Sequence, residues 1–229
     1  MANSLEKKPL NFIDLVKFRV GFGNEEKVFM IHKTFACDAS PVLKAAFNSR
    51  FQEGQTQAYI LEVVDAEIFD RLVLWIYTQT ATFEEINGAE MEPPSKETQE
   101  NFDEEVLKLL KLWILGDKLL MPQLQNEVMT AITEMWTLGQ CHLKSTSWIP
   151  YIWDYTIAGS PIRRFVRSHV IRWVKKDHCL QHYKDFPPEL LMDVLISAQE
   201  ISTILDKKAE TRQLWTSLQT ESEWEVPEN

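Results

Sequence analysis

A chain of 229 residues with 45% hydrophobic and 25% charged residues has the balance of a globular protein, with enough material for one large domain or two small ones. A net charge of -10 opposes non-specific nucleic-acid binding, which needs a basic field. No apolar run approaches the ~20 residues of a membrane helix, the start MANSLEKKPLNFIDL lacks the apolar centre of a signal peptide, and three scattered cysteines form no disulfide framework. An intracellular protein of cytoplasm or nucleus is expected.

In chain order, Val16, Phe18 and Val20 alternate in LVKFRV and predict a half-buried strand. GFGNEE is a turn. KVFMIH then places Val28, Met30 and His32 on one side and Phe29 and Ile31 on the other, which completes a hairpin. After His32 the period changes. Phe35 falls in a short helical turn. Asp38 or Ser40 is placed to cap a helix that opens on Pro41, where no backbone N–H is missed. Val42, Leu43, Ala46 and Phe47 share its inner stripe. FQEGQTQ reads as a loop and AYILEVV as a third strand. Asp65 starts the next helix, with Ile68, Leu72, Trp75 and Ile76 inward.

Residues 84 to 105 hold nine acidic residues against one lysine, with EPPS in the middle. So little apolar surface cannot offset chain entropy, and a mobile, solvated insertion is expected. Two antiparallel helices follow. Val106, Leu109, Leu110 and Trp113 line the first, and Leu124, Val128, Ile132 and Met135 the second. The remainder is helical. Trp148, Ile152 and Tyr155 share a face, and Gly159 stops that helix. Ile162, Phe165, Val166, His169, Val170 and Trp173 form the next stripe. PPE opens a last helix with Leu191, Val194, Leu195, Ala198, Ile201 and Leu205 expected inside. The stretch 207–229 is polar and reads as a frayed tail.

The pattern DLVKFRVG, FMIHKTFACDASPVLKAAFNSRFQE and AYILEVVDAEIFDRLVLWIYTQT resembles the BTB/POZ domain. Its carriers are Asp14, Gly21, His32-Lys33, Ser40 with Val42 to Phe47, Phe51 with Glu53, and Ile76-Tyr77-Thr78. WILGDKLLMPQLQNEVM is similar to that family's closing helical hairpin. GSPIRRF and DFPPELLMDVL resemble the C-terminal helices of fungal BTB proteins. The resemblance implies an α+β fold, a small β-sheet packed on a helical cluster, followed by an all-α extension. The expected divisions are an N-terminal segment 1–13, a BTB/POZ domain 14–138 with the acidic insertion 84–105, a helical extension 139–206 and a tail 207–229. It also implies a non-enzymatic interaction module without cofactor. Its partners would be proteins, in the form of a homodimer or of a cullin scaffold recruited by a ubiquitin-ligase adaptor. Only about a dozen residues precede the first strand, so a dimer is expected to rest on helix packing.

Several residue sets compete for a role. His32, Lys33, Cys37, Asp38 and Ser40 hold the ingredients of a reaction centre. The Ser reads as a cap, though, and the Cys sits among Phe and Ala, which raises a thiol pKa. Gly21, His32, Ser40 and Tyr77 are therefore expected to define the fold. The resemblance makes Asp14 and Lys33 candidates for a charged pocket near a dimer interface; the alternative is a surface ion pair. It also places a cullin surface on the helix from Ile68 to Trp75 and on the next helical pair. There Phe69 would be the apolar anchor, Trp75 a neighbour, and Arg71 stands where the family has an acid, a repulsive contact. His178, Cys179 and His182, with Cys141 and His142, lack zinc-finger spacing, and no metal is expected. Arg163, Arg164, Arg167, Arg172, Lys175 and Lys176 make a basic helix that could meet nucleic acid, an acidic partner or only solvent.

Overall fold

The computed structural model describes residues 14–82, 95–138, 146–173 and 176–206. Two compact units divide them. The first holds 14–82 and 111–125; the second holds 95–110, 126–138 and the helices that follow.

In the first unit, strands β1 (Leu15–Val20) and β2 (Lys27–His32) form the antiparallel hairpin, and β3 (Ala58–Leu61) adds parallel to β1, giving the order β2-β1-β3. Val16, Phe18 and Val20 are fully buried, so alternation sends Leu15, Lys17 and Arg19 to the other face. Gly21 ends β1 at φ +90°, and a Cβ there would meet the Glu25 carbonyl oxygen at 3.0 Å. Only glycine takes this turn without strain.

Helix α1 (Lys33–Ala39) starts directly at the end of β2, a full helix where the sequence suggested one short turn. Helix α2 (Pro41–Phe47) follows. FQEGQTQ, expected as a loop, contains helix α3 (Gln52–Thr56). Its Gly54 has no room for a Cβ, which would lie 2.0 Å from the Ser49 carbonyl oxygen. Helix α4 (Ala66–Thr78) buries Ile68, Phe69, Leu72, Trp75 and Ile76. The core is aromatic: Phe18 lies 5.6 Å from Phe47 and 5.0 Å from Phe69, and Phe29 lies 4.8 Å from Phe69, ring centre to ring centre. Asp65 occupies the cap position of α4 but makes no cap bond; its carboxylate accepts from Lys111 Nζ at 2.6 Å.

Helix α5 (Lys96–Lys118) and helix α6 (Pro122–Leu138) each contribute to both units. The acidic stretch is thus not a loop throughout. Residues 96–105 are helical, because Phe102 continues the stripe of Val106, Leu109 and Trp113 at i, i+4, i+7 and i+11, and all four are buried. Residues 84–94 lie outside the described part.

The second unit continues with α7 (Ile149–Tyr155), α8 (Pro161–Trp173), α9 (Lys176–Gln181) and α10 (Pro188–Asp206), with a single 3-10 turn at Tyr183–Asp185. Ile162, Phe165, Val166, His169 and Val170 are buried along α8, as their spacing predicts. α10 packs against α8, and its Leu190 is fully buried. Leu191, Leu195 and Ala198, expected inside, are exposed. From Leu190 to Ile196 only Asp193 is polar, so spacing alone does not say which side faces in.

Candidate functional site

Within positions 32 to 40, Ser40 and His32 make the side-chain bonds that shape the backbone. Ser40 has the extended backbone of a cap residue. Its Oγ accepts from the Leu43 N–H at 3.1 Å and donates to the Leu119 carbonyl at 2.6 Å, fully buried. One hydroxyl thereby starts α2 and holds the chain just past the end of α5. His32 stands at the strand-to-helix corner. Its backbone N–H donates to Tyr77 Oη at 3.2 Å, and its Nδ1 shares a hydrogen bond with the same oxygen at 2.8 Å. Phe35 packs on both rings, 5.9 Å from His32 and 5.0 Å from Tyr77. The Cys37 thiol is pushed up by burial, against a smaller opposing pull from Lys33. A thiol held protonated at neutral pH is a poor nucleophile. Ser40 and His32 therefore fix backbone corners, while the Asp38 side chain is exposed.

The candidate interaction residues fall into two classes. Asp14 and Lys33 meet through the main chain: the Lys33 N–H donates to the Asp14 carbonyl at 2.8 Å, closing the hairpin beside the Leu15–His32 pair. The Lys33 ammonium donates to the Phe47 carbonyl at 3.3 Å, and the Asp14 side chain is exposed. Phe69 and Trp75 require a correction. Both are buried, Phe69 between Phe18 and Phe29, so neither is an anchor a partner can reach. Phe69 stands at i, i+3 and i+7 with Leu72 and Ile76 and shares their buried side. Arg71 is half-buried on the same helix.

The first unit also exposes apolar residues, among them Leu15, Val28, Met30 and Ile60. Register puts Leu15, Lys17 and Arg19 of β1 beside His32, Met30 and Val28 of β2 and Ala58 and Ile60 of β3 on the outer face of the sheet. Leu15, Val28, Met30 and Ile60 are 38 to 56% exposed. The Arg19 guanidinium is held by the Glu26 carboxylate, Nε donating to Oε1 at 3.0 Å and to Oε2 at 3.1 Å, and Nη2 to Oε2 at 2.8 Å. Lys17, in the middle of the face, is exposed as well. On α4, Leu74 and Tyr77 are exposed as well. The signal for this face was in β2, where apolar residues stand on both sides of the strand rather than one.

In the second unit the basic helix is partly consumed. Arg163 donates through Nη2 to the Trp153 carbonyl at 2.7 Å and to the Thr156 carbonyl. Its Nε donates to Thr156 Oγ1 at 3.0 Å, and its Nη1 to Glu189 at 2.9 Å. It also stacks over the Trp153 ring at 5.0 Å, and Trp153 Nε1 donates to the same Glu189 oxygen at 3.0 Å. Arg164 donates to the Gly159 carbonyl. These two guanidiniums are occupied within the protein, and Lys175 lies outside the described residues.

His178 and His182 stack at 4.4 Å, and Asp185 accepts from Thr146 Oγ1 at 2.6 Å beside them. Burial and then His182 push His178 down, while Asp185 opposes. Among the described residues no three His, Cys, Asp or Glu side chains are placed to hold a metal; Cys141 and His142 lie outside them. No helix among them is long and apolar enough to cross a membrane.

A search of the curated proteins gives no significant match. The family model of the BTB/POZ domain matches residues 6–134. That span takes in the three-stranded sheet, the His32–Tyr77 corner, Ser40 and nearly all of α6. The chain belongs to the BTB/POZ domain family.

Proposed function

We propose that this BTB/POZ chain works as a non-enzymatic scaffold that associates with itself, using the outer face of the β2-β1-β3 sheet. Family membership makes it a protein–protein interaction module. The observation that carries the finer reading is the exposure of Leu15, Val28, Met30 and Ile60 on one face of the sheet. The central strand puts Lys17 and Arg19 between Met30 and Val28 on one side and Ile60 on the other, so the face is apolar with a charged middle, and exposed apolar groups gathered in this way mark interaction sites. Asp14 and Lys33 flank the Leu15–His32 end of the face and would add charge at its border. The domain would run over 14–138 and the helical extension over 139–206.

The adaptor reading, in which the chain recruits a cullin, loses its anchor because Phe69 is core, and Arg71 remains where the family has an acid. Nucleic-acid binding through α8 loses Arg163 and Arg164 to internal bonds.

Light scattering on the full chain tests the proposal. Expected is a dimer mass that becomes a monomer mass in Met30→Glu with unchanged circular dichroism, since a carboxylate in a closing apolar face is left desolvated. A monomer mass for the unaltered chain, or a dimer indifferent to Met30→Glu, rejects this surface. A stable complex with a cullin N-terminal fragment at high salt would favour the adaptor reading instead.

A further inference from the structure

Four side chains close a ring beside the lead into α7. Thr146 is fully buried, and its carbonyl accepts from the Ile149 N–H at 2.9 Å, at the start of that helix. Its hydroxyl donates to Asp185 Oδ2 at 2.6 Å. A carboxylate only accepts, so that hydroxyl proton is used. The contact of Thr146 Oγ1 with His178 Nε2, at 3.5 Å, then needs the ring nitrogen as its donor. His178 stacks on His182, ring centres 4.4 Å apart and planes at 24°. His182 Nδ1 lies 3.8 Å from the same Asp185 oxygen. The backbone keeps these groups together. The His182 N–H donates to the His178 carbonyl, and the Asp185 N–H to the His182 carbonyl, both at 2.9 Å.

The ring holds one carboxylate for two imidazoles. With both rings neutral, the stack is ordinary packing. A first proton has a counter-charge, because an imidazolium at His182 faces Asp185 at ion-pair distance. A second proton has none. It puts two like charges 4.4 Å apart, while Asp185 is already shared between Thr146 and His182. Burial first, and His182 second, lower the His178 pKa, and Asp185 opposes them. Around the pair, burial pushes the Cys179 thiol up and keeps it neutral. Asp177 is exposed on α9, and the Lys184 ammonium lies over the Tyr183 ring at 6.0 Å. Thr146, which faces the pair from the lead into α7, carries no charge. A histidine lowered in the folded chain leaves the fold at full strength above the ordinary 6.5 and weakens it as pH falls below.

We propose that Thr146, His178, His182 and Asp185 form an acid-released latch: it holds α9 and the 3-10 turn to the start of α7 while at most one imidazole is protonated, and lets go when both are. The latch lies wholly in the second unit and is independent of self-association.

Amide exchange on the full chain tests it, corrected for intrinsic rates, over 146–149 and 178–186 at pH 7.5 and 5.0. His182→Gln keeps a polar side chain and removes the like charge. Between the two pH values, protection of these segments is expected to fall at least about three-fold further in the unaltered chain than in the variant. One proton taken up between pH 6.5 and 5.0 sets a ceiling of about thirty-fold. Residues 162–166 of α8 give the reference, since His169 acts alike in both chains. The His178 ring proton should titrate at higher pH in the variant. In the unaltered chain at pH 5.0, sodium chloride at about 0.5 M should restore protection at least about two-fold, because it screens the repulsion. Equal falls in the two chains overturn the proposal, and so does a His178 midpoint that the substitution leaves unmoved. If the variant is already open at pH 7.5, the salt experiment on the unaltered chain decides, and indifference to salt rejects the latch.

Discussion

The two units use polar side chains differently. In the first, small polar groups fix corners of the backbone: the Ser40 hydroxyl spans from position 40 to 119, and the Tyr77 phenol from 77 to 32. Each makes two bonds, and the aromatic core around Phe18 and Phe69 does the rest. In the second, apolar stripes define the helices, and one cation, Arg163, joins α7, α8 and Glu189 of α10. Its bonds are charge-assisted and partly buried, so more depends on that single residue. The first unit should lose stability in small steps, and the second in one large one.

The largest effect is expected from Arg163→Ala. It strands the Trp153 and Thr156 carbonyls and removes the cation over the Trp153 ring, a loss of about 3 kcal/mol or more. Arg163→Lys should restore less than half, since an ammonium cannot reproduce the planar fork. Urea unfolding followed by helical circular dichroism measures both. A cost below about 1 kcal/mol, at the level of a surface pair, would show that packing alone joins these helices.

Next comes acid sensitivity, which should reside in the second unit. His169 is buried on α8, and burial first, then Arg172, lower its pKa to about 3 from 6.5. The native state stays neutral while the unfolded chain takes a proton. The full stability therefore exists above pH 6.5 and falls between 6.5 and 3, by up to about 1.4 kcal/mol per pH unit. His169→Leu removes this slope whatever its fixed cost. Unfolding at pH 7.5 and 5.0 should show the gap between variant and parent shifting by about 2 kcal/mol in favour of the variant; an unchanged gap would mean that the histidine titrates normally.

How far this contrast could be read from sequence differs by element. Alternation located the hairpin, and Ser-Pro at 40–41 announced a capped helix. The second bond of Ser40, to Leu119, was invisible, since nothing local marks a contact 79 positions away. Phe69 was misplaced for an instructive reason: a family signature made it an anchor and the inward set of Ile68, Leu72, Trp75 and Ile76 left it out, although it stands three and seven positions before Leu72 and Ile76 on their buried side. The acid count over 84–105 hid Phe102, whose spacing from Val106 carries α5 upstream. Arg163 lay among six basic residues, and no pattern distinguished the one whose partners are carbonyls. In α10 almost every position is apolar, which left the inward side undetermined.

A smaller effect sharpens the account of the first unit. Ser40→Ala should cost about 1–2 kcal/mol, the usual worth of a cap with a buried carbonyl left short of a donor. Ser40→Thr keeps both bonds available and should recover part of that in the same urea titration. If Ala is tolerated without cost, the α2 start is held by Pro41 and packing instead.

The smallest effect is the most discriminating for the corner. Tyr77→Phe keeps the ring against Phe35 and His32 and removes only the oxygen that bonds the His32 N–H and Nδ1. Tyr77 is partly exposed, so water can replace the lost partner, and the cost should be about 1 kcal/mol. Removing the ring as well, in Tyr77→Ala, should add the loss of packing against Phe35. If the two substitutions cost the same, the oxygen alone secures the corner; if Tyr77→Phe is neutral, the stacked rings secure it and the hydrogen bonds are incidental. The His32 ring resonances give an independent reading, because only loss of the Nδ1 partner changes the tautomer balance.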